Sequence, residues 1–331
     1  MSLIPRPVAR RIRPALVLNA ALATSLLAVT VAGDSAVDAA DAVLGGADQP
    51  AQGALDAADV APPAGRATSG TGPNAMAPGD PDTVLAESLA PLLRDERVRI
   101  SVTVLAEDTG LTAAFGNGRF DTASIVKVDI LAALLLRAQD EGRELTAAER
   151  AQAAVMIQHS DNDAADELWR SIGGRQGLDA ANERLGLVET DGGTLGHWGL
   201  TQTTSADQLA LLRAVYGTDS PLTAESRGYL RELMGAVTPE QRWGISAAAD
   251  GDFELKNGWL PRSRTDLWDV NSIGRITVEG RSYLVAVVSD GHAGFEEGVR
   301  LVEDAARAAV AAVTTDQEAN WSASRTLGPI A

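Results

Sequence analysis

Two lysines stand in a chain whose other basic residues are all arginine: of 28 Lys and Arg, only Lys127 and Lys256 are lysine. Arginine stays protonated in proteins, whereas a lysine amine loses its proton where burial or a nearby cation disfavours charge. Lys127 closes Ser124-Ile125-Val126-Lys127, Lys256 opens Lys256-Asn257-Gly258, and Ser160-Asp161-Asn162 lies between them. Ser and Lys three apart share a helix face, so a neutral amine at Lys127 can take the Ser124 proton and make the hydroxyl a nucleophile. The order S-x-x-K, S-D-N, K-x-G is that of sites where a serine attacks an amide.

Each motif also has a plainer reading. From Ile125 to Leu136 the chain is apolar almost all round, which predicts a buried helix capped by Asp121, Thr122 or Ser124, with Lys127 incidental. A cation in the first turn opposes the helix dipole, however, and a low-dielectric helix start lowers the amine's proton affinity. Ser160-Asp161-Asn162-Asp163 reads as a helix N-cap with acids at the positive end. Functionally, Ser160 can relay a proton to a leaving nitrogen and the Asn162 amide can hold a substrate amide. Asn257-Gly258 is a strong signal for a tight hairpin turn, but Pro261 and the Arg262–Thr265 cluster place a rival turn further on. In that case Lys256–Trp259 lies on a strand edge, where Lys256 offers a cation to a substrate carboxylate and Gly258 admits close approach to the backbone. Taken together the three motifs occur in one order, and the only two lysines complete two of them.

The elements that must position these residues follow from hydrophobic period. Helical spacing over Val84–Leu93 precedes a strand over Val98–Leu105, which can pair with Leu111–Phe115 across Asp108-Thr109-Gly110. Helical patterns fill Ser124–Val237, broken at Gly173-Gly174 and Asp191–Gly199. Strand patterns return at Phe253–Leu255, Ser272–Val278 and Tyr283–Ser289, and an amphipathic helix covers Phe295–Val313. Strands at both ends around a helical middle predict an α/β (α+β) domain: an antiparallel sheet from N- and C-terminal strands, flanked by helices, with an inserted all-helical subdomain. No internal repeat is seen.

Composition narrows the function classes. The formal charge is −17, and the first 33 residues carry Arg6, Arg10, Arg11 and Arg13 without an acid, so their removal leaves the rest more acidic. Such a chain is repelled by nucleic acid and anionic lipid, and a nucleic-acid partner is not expected. The absence of cysteine excludes a disulfide, a thiolate site and a lipidated cysteine; His159, His197 and His292 are scattered, so a His-rich metal centre is not expected, a carboxylate-only site stays open, and no cofactor is expected. Residues 1–33 read as an export signal with the apolar run Ala15–Ala32, cleaved near Val31-Ala32-Gly33 or, alternatively, kept as an anchor. Residues 34–82 are Ala-, Asp-, Gly- and Pro-rich with no aromatic and predict a disordered tether. The folded domain is expected over 83–315, followed by a polar tail over 316–331, as a secreted or signal-anchored monomer.

On Phe120-Asp121-Thr122-Ala123-Ser124-Ile125-Val126-Lys127, on Leu185-Gly186-Leu187 and on Thr203-Thr204-Ser205-Ala206-Asp207, the chain from about Val84 to Val313 resembles the class A β-lactamase and penicillin-binding superfamily, in particular the related serine hydrolases exported by actinobacteria. The resemblance implies a β-lactamase-like fold and a role for each matching residue. Ser124 is the acylated nucleophile and Lys127 its base; Ser160 passes a proton to the departing nitrogen; Asn162 orients the substrate amide. Lys256 binds the substrate carboxylate, with Asn257 and Gly258 beside it, and the backbone N–H groups of Ser124 and Trp259 form the oxyanion hole. The implied substrate is a small β-lactam or a peptidoglycan-like peptide.

Two departures matter. Asn257 replaces the usual Thr or Ser, and the loop Thr190–Gln202 lacks the Glu that activates the deacylating water in class A enzymes; its only acid is Asp191. His197 and Trp198 occupy that loop, His197 more in keeping with a packing or surface role than with a base. The expected activity is therefore acylation at Ser124 with deacylation open. The alternatives are a D,D-peptidase-like penicillin-binding protein and a catalytically idle domain that binds cell-wall fragments. No G-x-S-x-G elbow supports an α/β-hydrolase.

Overall fold

Strand β7 (Arg281–Asp290) pairs antiparallel with β1 (Arg99–Ala106), Arg99 opposite Asp290 and Ala106 opposite Tyr283, so the two ends of the domain close one sheet. With β2 (Thr112–Phe115), β5 (Phe253–Arg262) and β6 (Leu267–Val278) the sheet runs β2-β1-β7-β6-β5, every neighbouring pair antiparallel. Two short strands, β3 (Phe120–Asp121) and β4 (Gln202–Thr203), form a separate ladder. The computed structural model describes residues 79–326, with side chains to Thr314, all in the unit Thr71–Ala331. The expected export signal, and the expected tether up to residue 78, lie outside the described residues.

Both faces of this sheet are buried, and the period of two sorts the side chains. On β7, Tyr283, Val285 and Val287 join the core under α1 (Pro81–Leu89) and α8 (Phe295–Thr326), whereas Leu284, Ala286 and Val288 join the core of the helical block. On β1 the alternation of Val with Ser and Thr suggests one solvated face, but Ser101 and Thr103 are buried as well. They stay satisfied because both hydroxyls meet Ser205 Oγ, each at 2.7 Å.

Differences from the sequence reading are local. Asn257-Gly258 is not a turn: β5 continues through it, and the chain reverses at Arg262–Asp266, where Asp266 N donates to Arg262 O at 2.8 Å. Pro261 is tolerated because β5 is an edge strand. The last helix runs past Val313 to Thr326, since neither Gly nor Pro interrupts it before Gly328, so the expected polar tail is helical over much of its length.

The inserted block holds α2 (Val126–Asp140), α3 (Ala147–Gln158), α4 (Asn162–Ser171), α5 (Gly174–Leu185), α6 (Ser205–Tyr216) and α7 (Ala224–Gly235). Helix α2 runs through its centre, with twelve of its fifteen residues buried, as a helix apolar all round must be. Each buried Leu or Ile there contributes roughly 1.5–3 kcal/mol by leaving water. That burial makes the N-terminal turn of α2 a rigid platform at the seam between block and sheet.

Candidate active site

Ser124 sits in a single 3-10 turn, Ala123–Ile125, that leads into α2. Ala123 has φ 46, a left-handed conformation costly for a residue with a side chain, so the neighbours must hold the turn in place. They do so from three directions. Asn271, buried on β6, donates through Nδ2 to Asp121 O at 2.9 Å and Thr122 O at 3.0 Å. Thr122 N donates to Thr201 O at 2.8 Å, and Arg262 pairs with the Asp121 carboxylate. From the sheet edge comes Gly258: a Cβ there would lie 2.7 Å from Ser124 N and 2.8 Å from both Ile125 N and Thr122 O. The missing side chain of Gly258 thus admits the turn around Ser124 itself, where the sequence suggested a ligand.

The two lysines converge on one hydroxyl. Lys127 Nζ donates to Ser160 O at 2.6 Å, Ser160 Oγ at 3.2 Å and Asn162 Oδ1 at 2.8 Å. Lys256 Nζ lies 3.0 Å from the same Ser160 Oγ and 2.7 Å from Asn257 O. Ser160 presents its hydroxyl from a left-handed residue, φ 58, between α3 and α4, while Asp161 caps α4 through Ala164 N at 2.8 Å. Asp161 thus caps α4 as the N-cap reading expects, while Ser160 and Asn162 both meet Lys127 Nζ. Lys127 and Lys256 are almost wholly buried. Burial lowers the Lys127 amine to about 7, the Asp161 and Asp166 carboxylates pulling the other way. Burial, and behind it the charge of Lys127, hold Lys256 well below the usual lysine range.

Ser124 is brought beside this network but not into it. Its side chain lines a cleft of about 640 Å3 with Asn162, Asp166, Trp198 and Trp259, and among the described residues no hydrogen bond joins its Oγ to Lys127 Nζ. Asn257 is placed differently from a ligand-binding residue: its Nδ2 donates to Gln241 O at 2.7 Å and Trp243 O at 2.9 Å, which fastens the segment before β5. Its own carbonyl serves Lys256. Trp259 borders the cleft and packs at 5.9 Å from Trp243 and 5.8 Å from Phe295.

The loop after α5 carries no acid to Ser124. Asp191 pairs with Arg119 and bridges to Gln202, so it anchors the base of the loop. The tip instead brings Trp198, whose ring centroid lies 4.8 Å from Lys127 Nζ and whose Nε1 donates to Asp166 Oδ1 at 2.6 Å. A cation over an indole face is favoured electrostatically, and the ring also screens the amine from water. His197 is exposed on the cleft rim. Sequence reasoning missed Asp166 and Asn271. Asp166 had a signal, since Asn162 and Asp166 are four apart on one helix face; Asn271 had none, because only the fold brings β6 under residues 121–122.

A model described as the beta-lactamase enzyme family matches residues 145–313. The match begins after Lys127, so the Ser124–Lys127 turn lies outside it. Among curated proteins, "Putative lipoprotein LppW" of Mycobacterium tuberculosis, and likewise of Mycobacterium bovis, is 29% identical over 170 residues, covering 49% of this chain and 54% of that one. The chain thus spans about half the length of the curated relatives it matches. Among solved structures, a class A beta-lactamase from Bacteroides cellulosilyticus superposes with a TM-score of 0.61 at 17% identity, over 71% of this chain and 98% of the other. TLA-1 extended spectrum beta-lactamase gives 0.62 at 18%, over 69% and 97%. PBP-A gives 0.59 at 20%, over 68% and 94%. At these identities the likeness is one of fold: the mixed helix and antiparallel-sheet architecture is that of class A beta-lactamases.

Proposed function

This chain belongs to the beta-lactamase enzyme family, and we propose that it is a serine hydrolase acylated at Ser124 by β-lactams or related amides. The observation that carries this reading is the meeting of Lys127 and Lys256 at Ser160 Oγ, beside a cleft lined by Ser124. With its amine neutral, Lys127 keeps two N–H donors for Ser160 O and Asn162 Oδ1 and one lone pair to accept a proton, while Ser160 Oγ accepts from Lys256. A proton can then pass along the chain without leaving the site.

That arrangement supports acylation. The Ser124 Oγ–H proton moves to Lys127 as Oγ bonds to the carbonyl carbon, and Ser124 N–H and Trp259 N–H receive the negative charge on oxygen. The carbon–nitrogen bond breaks, and the nitrogen takes a proton from Ser160, which Lys127 restores. Burial and the charge of Lys127 both disfavour the Lys256 ammonium, and a substrate carboxylate would supply its counter-charge. Asn162, exposed and in the cleft, is left to meet the substrate amide.

A second reading, a D,D-peptidase-like penicillin-binding protein, shares every step to the acyl-enzyme and is favoured by the anchoring of Asp191 to Arg119, away from Ser124. The relatives' name is that of a lipoprotein, and together with the arginine-flanked run Ala15–Ala32 it supports work outside the cytoplasm. Covalent labelling by a fluorescent penicillin, retained on a denaturing gel and lost in Ser124→Ala, tests the reading. Equal labelling of both proteins would overturn it.

A further inference from the structure

The cleft holds a carboxylate in a place the loop does not supply. Asp166 lies one turn beyond Asn162 on α4, is exposed to solvent, and lines the same cavity as Ser124. It does not hang free. Trp198 Nε1 holds its Oδ1 at 2.6 Å, and the Trp198 ring is itself seated against Lys127 Nζ. The turn carrying Trp198 also abuts the nucleophile turn, a Cβ at Gly199 falling 3.8 Å from Ala123 Cα. One oxygen is thus fixed by a donor, while Oδ2 accepts no hydrogen bond from the described residues and is left for water.

We propose that Asp166 is the general base that hydrolyses the Ser124 acyl-enzyme, with Trp198 as the residue that positions it. This rests on the acylation reading above and assigns the step that reading leaves open. A water between Asp166 and the ester loses a proton to Oδ2 as its oxygen bonds to the acyl carbon. The carbon–Oγ bond then breaks, Oγ takes up the proton, and a carboxylic acid leaves with Ser124 restored. A base on a rigid helix does the work of one on a loop, provided it reaches the acyl carbon's open side. His197 also borders the cleft, but no described side chain orients it.

The test is the lifetime of the benzylpenicillin adduct on the full chain, followed by intact mass after removal of free drug. Asp166→Asn keeps the Trp198 acceptor but cannot take a proton, and its adduct should decay at least about 100-fold more slowly than wild type. Asp166→Glu should restore part of the rate. Trp198→Phe keeps a ring over Lys127 and removes the donor; kcat and KM should fall together by about 3- to 30-fold while kcat/KM, which reports acylation, holds. His197→Gln should decay like wild type. Equal decay of Asp166→Asn and wild type, or a wild-type adduct that never decays, would overturn the proposal and leave acylation intact. Failure of wild type to form any adduct would remove the acylation reading itself.

Discussion

Lys127 and Lys256 share one acceptor, Ser160 Oγ, at 3.2 and 3.0 Å. Two ammonium groups that meet at one hydroxyl, both out of water, disfavour each other's charge. Burial lowers the Lys127 amine, and burial with the charge of Lys127 lowers that of Lys256, so the two lysines of a chain otherwise built with arginine are both disposed to lose charge.

The first prediction concerns that base. With the Lys127 amine at about 7, acylation by benzylpenicillin should fall about tenfold per unit as pH drops below 7, because the protonated amine cannot accept from Ser124. Lys127→Arg should abolish acylation over the whole range, since a guanidinium supplies no neutral nitrogen. Stopped-flow acylation of both proteins from pH 5 to 9 checks this; a functional Arg variant removes Lys127 from the role.

Lys256 should recognise charge on the substrate. Wild type is expected to be acylated faster by benzylpenicillin than by its methyl ester, and Lys256→Ala should shrink that preference by about 10- to 100-fold. An unchanged ratio would mean that the substrate carboxylate lies elsewhere.

Gly258→Ala should act on the turn around Ser124. The added methyl would meet Ser124 N at 2.7 Å, against backbone that Asn271 holds in place. We expect a loss of about 1–3 kcal/mol by urea unfolding and at least a tenfold slower acylation. A variant with wild-type acylation would show that the turn can move aside.

Asp129 makes stability depend on pH. It is fully buried in α2, and burial pushes its carboxyl from 3.8 up to about 8, the backbone and the Gln208 side chain pulling the other way. Between those values the unfolded chain has lost the proton that the folded chain keeps. Its contribution is thus fully present below the unfolded value and is lost as pH rises through the folded one. The slope is up to about 1.4 kcal/mol per pH unit. Unfolding midpoints from pH 5 to 8 should decline more steeply for wild type than for Asp129→Asn, and identical slopes would contradict the buried acid.

Much of this was legible beforehand, for physical reasons. The apolar surround of Ile125–Leu136 announces a central helix, and the ends of the sheet announce themselves by alternation. Gly258 was legible as a point of close approach but not as to what approaches, because its neighbour, the turn around Ser124, is 134 residues away in sequence. The Asn257 side chain was misplaced for a similar reason: its partners, the carbonyls of Gln241 and Trp243, carry no sequence signal. Trp198 was noticed, but its contact with both Lys127 and Asp166 depends on how the loop folds back over α4.

The central claim is that Ser124 is acylated, and intact mass spectrometry with benzylpenicillin tests it most directly. Wild type should gain one penicilloyl mass, localised by peptide mapping to the segment containing Ser124, and Ser124→Ala should gain none. No adduct on wild type with any β-lactam, or an adduct that persists in Ser124→Ala, would contradict the account.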